Sequence, residues 1–418
     1  MDAGAVLDHI GPGADLIVPL ANGEPVALLD AIEGAAAGLV GVRVHQMHAL
    51  RDRRYLHGEF GDRLRHVSYF LSDVTRPCFR AGTVELVPNH FSEMRAILKE
   101  QTKDPLVLAA ASPPDRHGYF SLGLNADYVA SFIGRARFFL EANRRMPRTF
   151  GRNQIHVSQV EGWAETDRPL IEVVPAPVGE PDRRIAAFVA ERIADRATIQ
   201  VGIGSIPNAI LSALSDHRDL GIHTELISDG VMNLLEAGVV TGVAKDINRT
   251  KTVGTFALGT QRLYDFLDDN TACELWPARY VNDPRVIAQE SGFVSINATI
   301  SVDLLGQCAS ETIGGAYYSS SGGQADFARG AMYSKDGQAF VVLHSTVKDG
   351  SISKVVAQLN AGEVVTTLKN TVDHVVTEWG VASLRGRSIR ERARALIAVA
   401  HPLHRDRLTA AARDLGYV

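Results

Sequence analysis

The 418-residue chain has little cysteine, little lysine and no long apolar run. Its three cysteines, Cys78, Cys273 and Cys308, lie far apart and form no CxxC pair, which argues against a zinc ribbon or a redox dithiol. A sparse, odd count fits a reducing compartment. No stretch approaches the ~18–20 apolar residues of a membrane span. The start carries Asp2 and Asp8 and lacks the basic and apolar regions of a signal peptide. A basic excess is also missing: 43 basic residues face 48 acidic ones, for a net charge of −5. That excludes the usual footprint of a nucleic-acid binder. Only 8 of the 43 basic residues are lysine, the mark of a GC-rich genome and of no functional consequence. What remains is an ordinary globular mix, 45% hydrophobic and 22% charged, long enough for two or three domains. A soluble cytoplasmic protein is expected.

Strand-like and helix-like pieces alternate. Residues 14–20 and 41–47 read as strands, 25–32 as a helix, 84–87 as a strand, 91–98 as a helix and 104–110 as a buried strand. This rhythm predicts an α/β fold with mainly parallel sheets. Prolines at 169, 175, 177 and 181 mark a junction, giving expected domains of 1–180 and 181–418. Past it, Ile185, Val189 and Ile193 give one apolar stripe to a helix over 184–197, and 198–201 reads as a strand. The halves resemble each other: LIVPLANGEPVALLDAI at 16–32 and IQVGIGSIPNAILSAL at 199–214 are each a short strand, a small-residue turn and a helix opening near proline (Pro25, Pro207). Two similar α/β domains follow.

Three segments could carry chemistry. Gly202-Ile203-Gly204-Ser205-Ile206-Pro207-Asn208 joins a strand to a helix, where glycines let backbone N–H groups approach an anion. It is GxGxxxN rather than GxGxxG, which weakens a dinucleotide reading, and a ligand-free βα turn has the same pattern. In GIHTELISDG at 221–230 a short strand ends on Glu225, beyond which ligands bind in open α/β sheets; taken alone, such a glutamate is a surface charge. In SSSGGQADF at 319–327 successive N–H groups could face an oxyanion, though Ser/Gly runs are commonly mobile loops. The HxxH pairs, His45/His48 and His401/His404, lack the spacing and third ligand of a metal site, so no metal is expected. No GxSxG elbow supports a serine nucleophile.

Together, GIGSIPNAIL (202–211), GIHTELISDGVMNLLEAGVVTG (221–242), LYDFLDDN (263–270), YVNDPRVIAQ (280–289), VSINATISVDLLGQ (294–307), GGQADFARGA (322–331) and VTEWGVASLRG (376–386) resemble the acetyl-CoA hydrolase/transferase family. SPPDRHGYFSLG (112–123) extends the resemblance into the first half. It implies a class I CoA-transferase of two similar α/β domains, with the active site between them. The family's catalytic glutamate corresponds to Glu225, its oxyanion-side glycine to Gly323 with Gly322 adjacent, and its CoA-binding loop to Gly202, Ile203, Gly204, Ser205 and Ile206. Lys348 and Glu378 match positions that contact CoA or substrate. Departures are Ser301, where many members have glutamate, His344, where proline is common, and Cys308.

The resemblance implies transfer of CoA from an acyl-CoA to a short-chain carboxylic acid through a glutamyl-CoA thioester, with ping-pong kinetics. CoA is then a substrate, and no permanent cofactor is required. Glu225, with a reference pKa of ~4.3, is expected to be ionised at pH 7 without special tuning. A homodimer or homotetramer is implied. An acyl-CoA hydrolase on the same scaffold is the alternative. A nucleotide-dependent oxidoreductase and a non-catalytic CoA-binding homologue are the more distant readings.

Overall fold

A computed structural model describes all 418 residues. It divides into two units, Met1–Val174 with Val253–Val281, and Pro175–Thr252 with Asn282–Val418. The first crossing falls in the proline-rich segment. The chain then returns to the first unit over 253–281, a stretch the sequence pattern had assigned to the second domain. That return is invisible in composition, because no proline or glycine cluster marks it.

The first unit is built on seven strands: β1 (Asp15–Val18), β2 (Val42–Gln46), β3 (Leu64–Ser68), β4 (Val84–Leu86), β5 (Leu106–Ala111), β6 (Arg137–Asn143) and β7 (Gly162–Thr166). Their order is β7-β6-β5-β1-β2-β3-β4, and every neighbouring pair is parallel. β1 and β5 are buried along their whole length, as expected of strands covered on both faces. Leu28, Leu29 and Ile32 of helix α1 (Val26–Gly34) pack on Leu16, Val18 and Leu108. The helix expected over 91–98 begins as a 3-10 turn at Phe91–Glu93 and continues as α2 (Met94–Gln101).

The main sheet of the second unit has six strands: β8 (Thr198–Val201), β9 (Gly221–Ile222), β10 (Val294–Ala298), β11 (Gln338–Val342), β12 (His374–Thr377) and β13 (Gly380–Ser383). Their order is β9-β8-β10-β11-β12-β13; the first five run parallel and β13 folds back antiparallel. Helices α3 (Glu180–Ala190), α4 (Ser205–Ala213), α5 (Asp229–Glu236), α6 (Gln324–Tyr333), α7 (Ile389–Val399) and α8 (Pro402–Asp414) accompany the sheet. Ala393 and Leu396 of α7 pack with Val341, Val375 and Ala382. α3 starts before the expected Arg184, because Pro181 fits its first turn and Asp182 accepts from the Gly179 N–H at 2.7 Å.

This topology sets the site. Chain order departs from β8 in both directions, to β9 on one side and to β10, β11 and β12 on the other. The carboxyl ends of parallel strands at such a switch point form a crevice suited to ligands. On that edge lie Gly202–Gly204 after β8, Glu225 after β9, Ser301 after β10, His344 and Ser345 after β11, and Glu378 after β12.

Candidate active site

Glu225 lies at a bend beyond β9 rather than at the strand's last residue, since regular pairing stops at Ile222. Its Oε2 accepts from Asn282 Nδ2 at 2.7 Å, and the Gly323 N–H also donates to the carboxylate. Asn282 is fully buried. Burial pushes the Glu225 carboxyl up to about 7; the nearby Asp326 charge adds to the rise, while the Asn282 and Gly323 hydrogen bonds oppose it. The expectation of a fully ionised glutamate at pH 7 is therefore corrected. Near neutrality both protonation states are populated, because desolvation outweighs the two donors.

Gly323 is the residue before α6, with φ −99° and ψ 3°, a conformation open to any amino acid. Its glycine identity is dictated by proximity instead. A Cβ at this position would fall on Glu225 Oε2 and Asn282 Nδ2. The Ser/Gly segment is anchored rather than a loose loop: Ser319 and Ser320 are buried, and the Tyr318 and Ser319 N–H groups donate to the Glu311 carbonyl. Gly322 supplies a positive φ of 54° that turns the chain into the helix.

The turn after β8 is built differently. Gly204 has φ 124° and ψ 178°, a region that side chains disfavour, and it precedes α4 without a side-chain cap. The first N–H groups of α4 are thus presented outward, with Ile203 largely exposed beside them. Ser205 Oγ donates to Asp182 Oδ1 at 3.0 Å, and His344 Nε2 meets the same oxygen at 2.8 Å. Asp182 thereby ties the starts of α3 and α4 to the end of β11. These contacts, with burial opposing them, hold its carboxyl below the usual range.

Glu378 is buried, and both its oxygens are taken by Ser345, one by the N–H at 2.9 Å and the other by Oγ at 2.5 Å. Trp379 Nε1 donates to the same hydroxyl at 3.1 Å. In this state Glu378 fixes the β11 exit rather than presenting a free carboxylate. Lys348 is exposed in a hairpin turn, at φ 50°. Ser301 is buried with an unpartnered Oγ. Cys308 is buried, and desolvation pushes its thiol up, so it stays a neutral core side chain. Among the histidine pairs, His45 meets Asp15 and the Tyr69 hydroxyl, while burial pushes His48 down to about 4. His404 meets the Gly350 carbonyl.

The structure thus joins Glu225 and Gly323 in one cluster, and gathers Gly204–Ser205, Asp182 and His344 in a second on the same sheet edge. Reasoning from sequence overlooked Asn282, Asp326, Asp182 and Ser345. Asn282 stands inside YVNDP and Asp326 inside GGQADF; both motifs were read as signatures, and their polar residues could have been asked for a partner.

A fold of this kind with a carboxylate held at the switch-point edge defines a class, and comparison with known proteins places the chain within it. Residues 3–175 match the acetyl-CoA hydrolase/transferase N-terminal domain and residues 259–412 the C-terminal domain. The chain is 41% identical over 407 residues to succinyl-CoA:cyclohexane-1-carboxylate CoA transferase of Geobacter metallireducens, covering 97% of this chain and 93% of that one. It is 40% identical to 4-hydroxybutyrate coenzyme A transferase of Clostridium kluyveri, over 93% and 91% of the two chains. The crystal structure of RipA from Yersinia pestis superposes with a TM-score of 0.95 at 36% identity, covering 100% of this chain and 98% of that one. The chain belongs to the acetyl-CoA hydrolase/transferase family. No helix is long and apolar enough to cross a membrane.

Proposed function

We propose that this enzyme transfers CoA from an acyl-CoA to a small carboxylic acid through a covalent glutamyl-CoA thioester on Glu225. The observation that carries the reading is the Glu225 carboxylate held by Asn282 and Gly323, with a glycine at 323 that any side chain would turn into a collision. The named CoA-transferases at about 40% identity over nearly the whole chain support the reaction class. The reading adds a cytoplasmic location, supported by the sparse cysteines, and a homodimer or homotetramer, as the family resemblance implies.

The steps follow from the donors. Ionised Glu225 attacks the acyl-CoA carbonyl, forming a mixed anhydride and releasing CoA thiolate. The thiolate attacks the side-chain carbonyl of Glu225, and the first acid leaves. In that second attack the negative charge develops on an oxygen of Glu225 itself. Asn282 Nδ2 and the Gly323 N–H already address this carboxylate, so they are preorganised donors for its tetrahedral intermediate. The incoming acid reverses both steps. The Gly202 N–H is taken by the Ile296 carbonyl at 3.0 Å, so the outward N–H groups from Ile203 to Ile206 receive the other charged part, either the substrate oxyanion or a polar segment of CoA. A carboxyl with pKa near 7 is a stronger nucleophile once ionised than one with pKa near 4, at the cost of a smaller ionised fraction at neutral pH.

The test is peptide mass spectrometry after mixing the enzyme with an acyl-CoA and no acceptor. A mass gain of one CoA on the peptide containing Glu225 is expected. Steady release of free CoA with no adduct would favour the hydrolase instead.

A further inference from the structure

Lys245 has no place in the chemistry above, yet it is fully buried. Its Nζ donates to the Ile222 carbonyl at 2.9 Å and to the Lys251 carbonyl at 3.0 Å, and lies 3.9 Å from Glu290 Oε1. Burying a charged pair costs more than its attraction returns unless the geometry is close and hydrogen bonds add to it. Here the pair is loose: Glu290 Oε1 has no hydrogen bond, and Oε2 accepts from the Asp246 N–H at 2.7 Å. The return lies in the carbonyls. β9 is the last strand of its sheet. The Gly221 and His223 N–H groups donate inward, to the Ala197 and Ile199 carbonyls, so the Ile222 carbonyl faces off the sheet edge. One step earlier on that edge, Leu220 is served by the main chain of Val239, Thr241 and Gly242. At Ile222 the donor is a side chain, Lys245. Gly221 makes room for its stem, since a Cβ there would lie 2.6 Å from Lys245 Cγ. Glu225 follows three residues beyond Ile222. Between them Thr224 hooks inward, its Oγ1 accepting from the Val201 N–H and donating to the Val201 carbonyl at 3.4 Å each.

We propose that Lys245 is a positioning residue for Glu225. It fixes the edge-side carbonyl from which the chain bends toward the site, while Thr224 fixes the sheet side. The Glu225 carboxylate is thereby held where Asn282 Nδ2 meets it. A hydrophobic side chain of the same length would fill the slot but leave two buried carbonyls without this donor, and the end of β9 would be free to shift. A displacement of about 1 Å at a reacting group can cost on the order of 100-fold in rate. Lys245 is enclosed and faces main-chain oxygens, so its loss should act on rate and not on affinity. The assignment rests on the nucleophile reading above.

The test is the rate at which the Glu225 peptide gains CoA in a single turnover, followed by quenched-flow mass spectrometry across acyl-CoA concentrations. Lys245→Met should slow adduct formation about 100-fold at saturation, with the half-saturating concentration within about threefold of the parent. Leu408→Ala, which opens a cavity in the core under α7 and α8, is the destabilised comparison, with stability measured by urea unfolding. It should keep the parent rate, which separates positioning from a loss of stability. Circular dichroism checks each fold. If Lys245→Met does not fold, Gly221→Ala, which crowds the lysine stem, carries the test and should slow the adduct about tenfold. Adduct formation at the parent rate in the variant tested, or an equal slowing in Leu408→Ala, overturns the proposal and leaves Glu225 as the nucleophile. No adduct in the parent overturns the nucleophile reading and the proposal together.

Discussion

The two units open with the same device, a strand, a turn and a helix, and treat the helix start in opposite ways. In the first unit the turn after β1 is filled. Asn22 and Glu24 are buried, and the Ala27 N–H, in the first turn of α1, donates at 2.7 Å to Glu141 Oε2 from β6. Glu141 is almost wholly buried. The helix N-terminus, a natural anion site, is thus occupied by the protein's own carboxylate. In the second unit Gly202–Gly204 replaces the filled turn, no side chain caps α4, and Ile203 faces outward. A shared architecture therefore yields one sealed corner and one open corner, and the difference lies in a single internal anion and two glycines.

The sharpest way to test the open side is at the carboxylate beyond β9. Glu225→Gln keeps the shape and an acceptor for Asn282 but removes the proposed nucleophile. Transfer should fall at least ~1,000-fold, as for loss of a residue that forms the covalent bond. Stability should rise relative to the parent as pH increases. A carboxyl with a raised folded pKa keeps its proton where the unfolded chain has lost it, so the parent loses stability between about pH 4.5 and about pH 7. Urea titrations at pH 5 and pH 8 measure the gap. Activity above 10% of the parent would remove Glu225 from the mechanism.

Asn282→Ala comes next. Removing one preorganised oxyanion donor costs about 2.7–4 kcal/mol, or roughly 100–1,000-fold in kcat. The variant also loses a hydrogen bond that favours the ionised carboxylate, so Glu225 should titrate higher. The acid limb of the kcat/KM profile, expected near pH 7 in the parent, should move to higher pH. A lowered kcat with an unmoved limb would make Asn282 a packing residue only.

Part of this comparison was legible in the chain. The strand-turn-helix match of 16–32 with 199–214 disclosed the repeated device, and the apolar runs at 14–20 and 104–110 disclosed parallel strands, which the structure bounds at Asp15–Val18 and Leu106–Ala111. Glu225 and the two glycine segments stood out because glycine and a strand-end carboxylate have local signatures. The missed groups act across sequence distance. Asn282 meets Glu225, Asp182 meets His344 and Glu141 meets Ala27 only after the sheets assemble. The raised pKa of Glu225 is likewise a property of enclosure, which no local pattern encodes.

A smaller effect is expected at the open turn itself. Gly204→Ala forces a side chain into φ 124°, and strain of this kind costs on the order of 1–3 kcal/mol. On the proposal that the turn receives a polar segment of CoA, KM for acyl-CoA should rise about tenfold with kcat changed less. A drop confined to kcat would assign the turn to the reacting carbonyl instead.

The smallest kinetic effect belongs to the sealed corner. Glu141→Ala leaves the buried Ala27 N–H without an acceptor and also strands Thr166 Oγ1, which donates to Glu141 at 2.9 Å. An unpaired buried donor costs about 1–3 kcal/mol. Burial raises the Glu141 carboxyl above its usual range despite these donors. Its stabilising share is therefore fullest at low pH and shrinks as pH rises through the folded pKa. Urea unfolding should show a loss of stability that is larger at pH 5 than at pH 8, while kcat and KM stay within about twofold. If Glu141→Ala instead impaired acyl-CoA turnover as strongly as Gly204→Ala, the first corner would have to be counted as part of the working site, and the contrast between a sealed and an open helix start would fail.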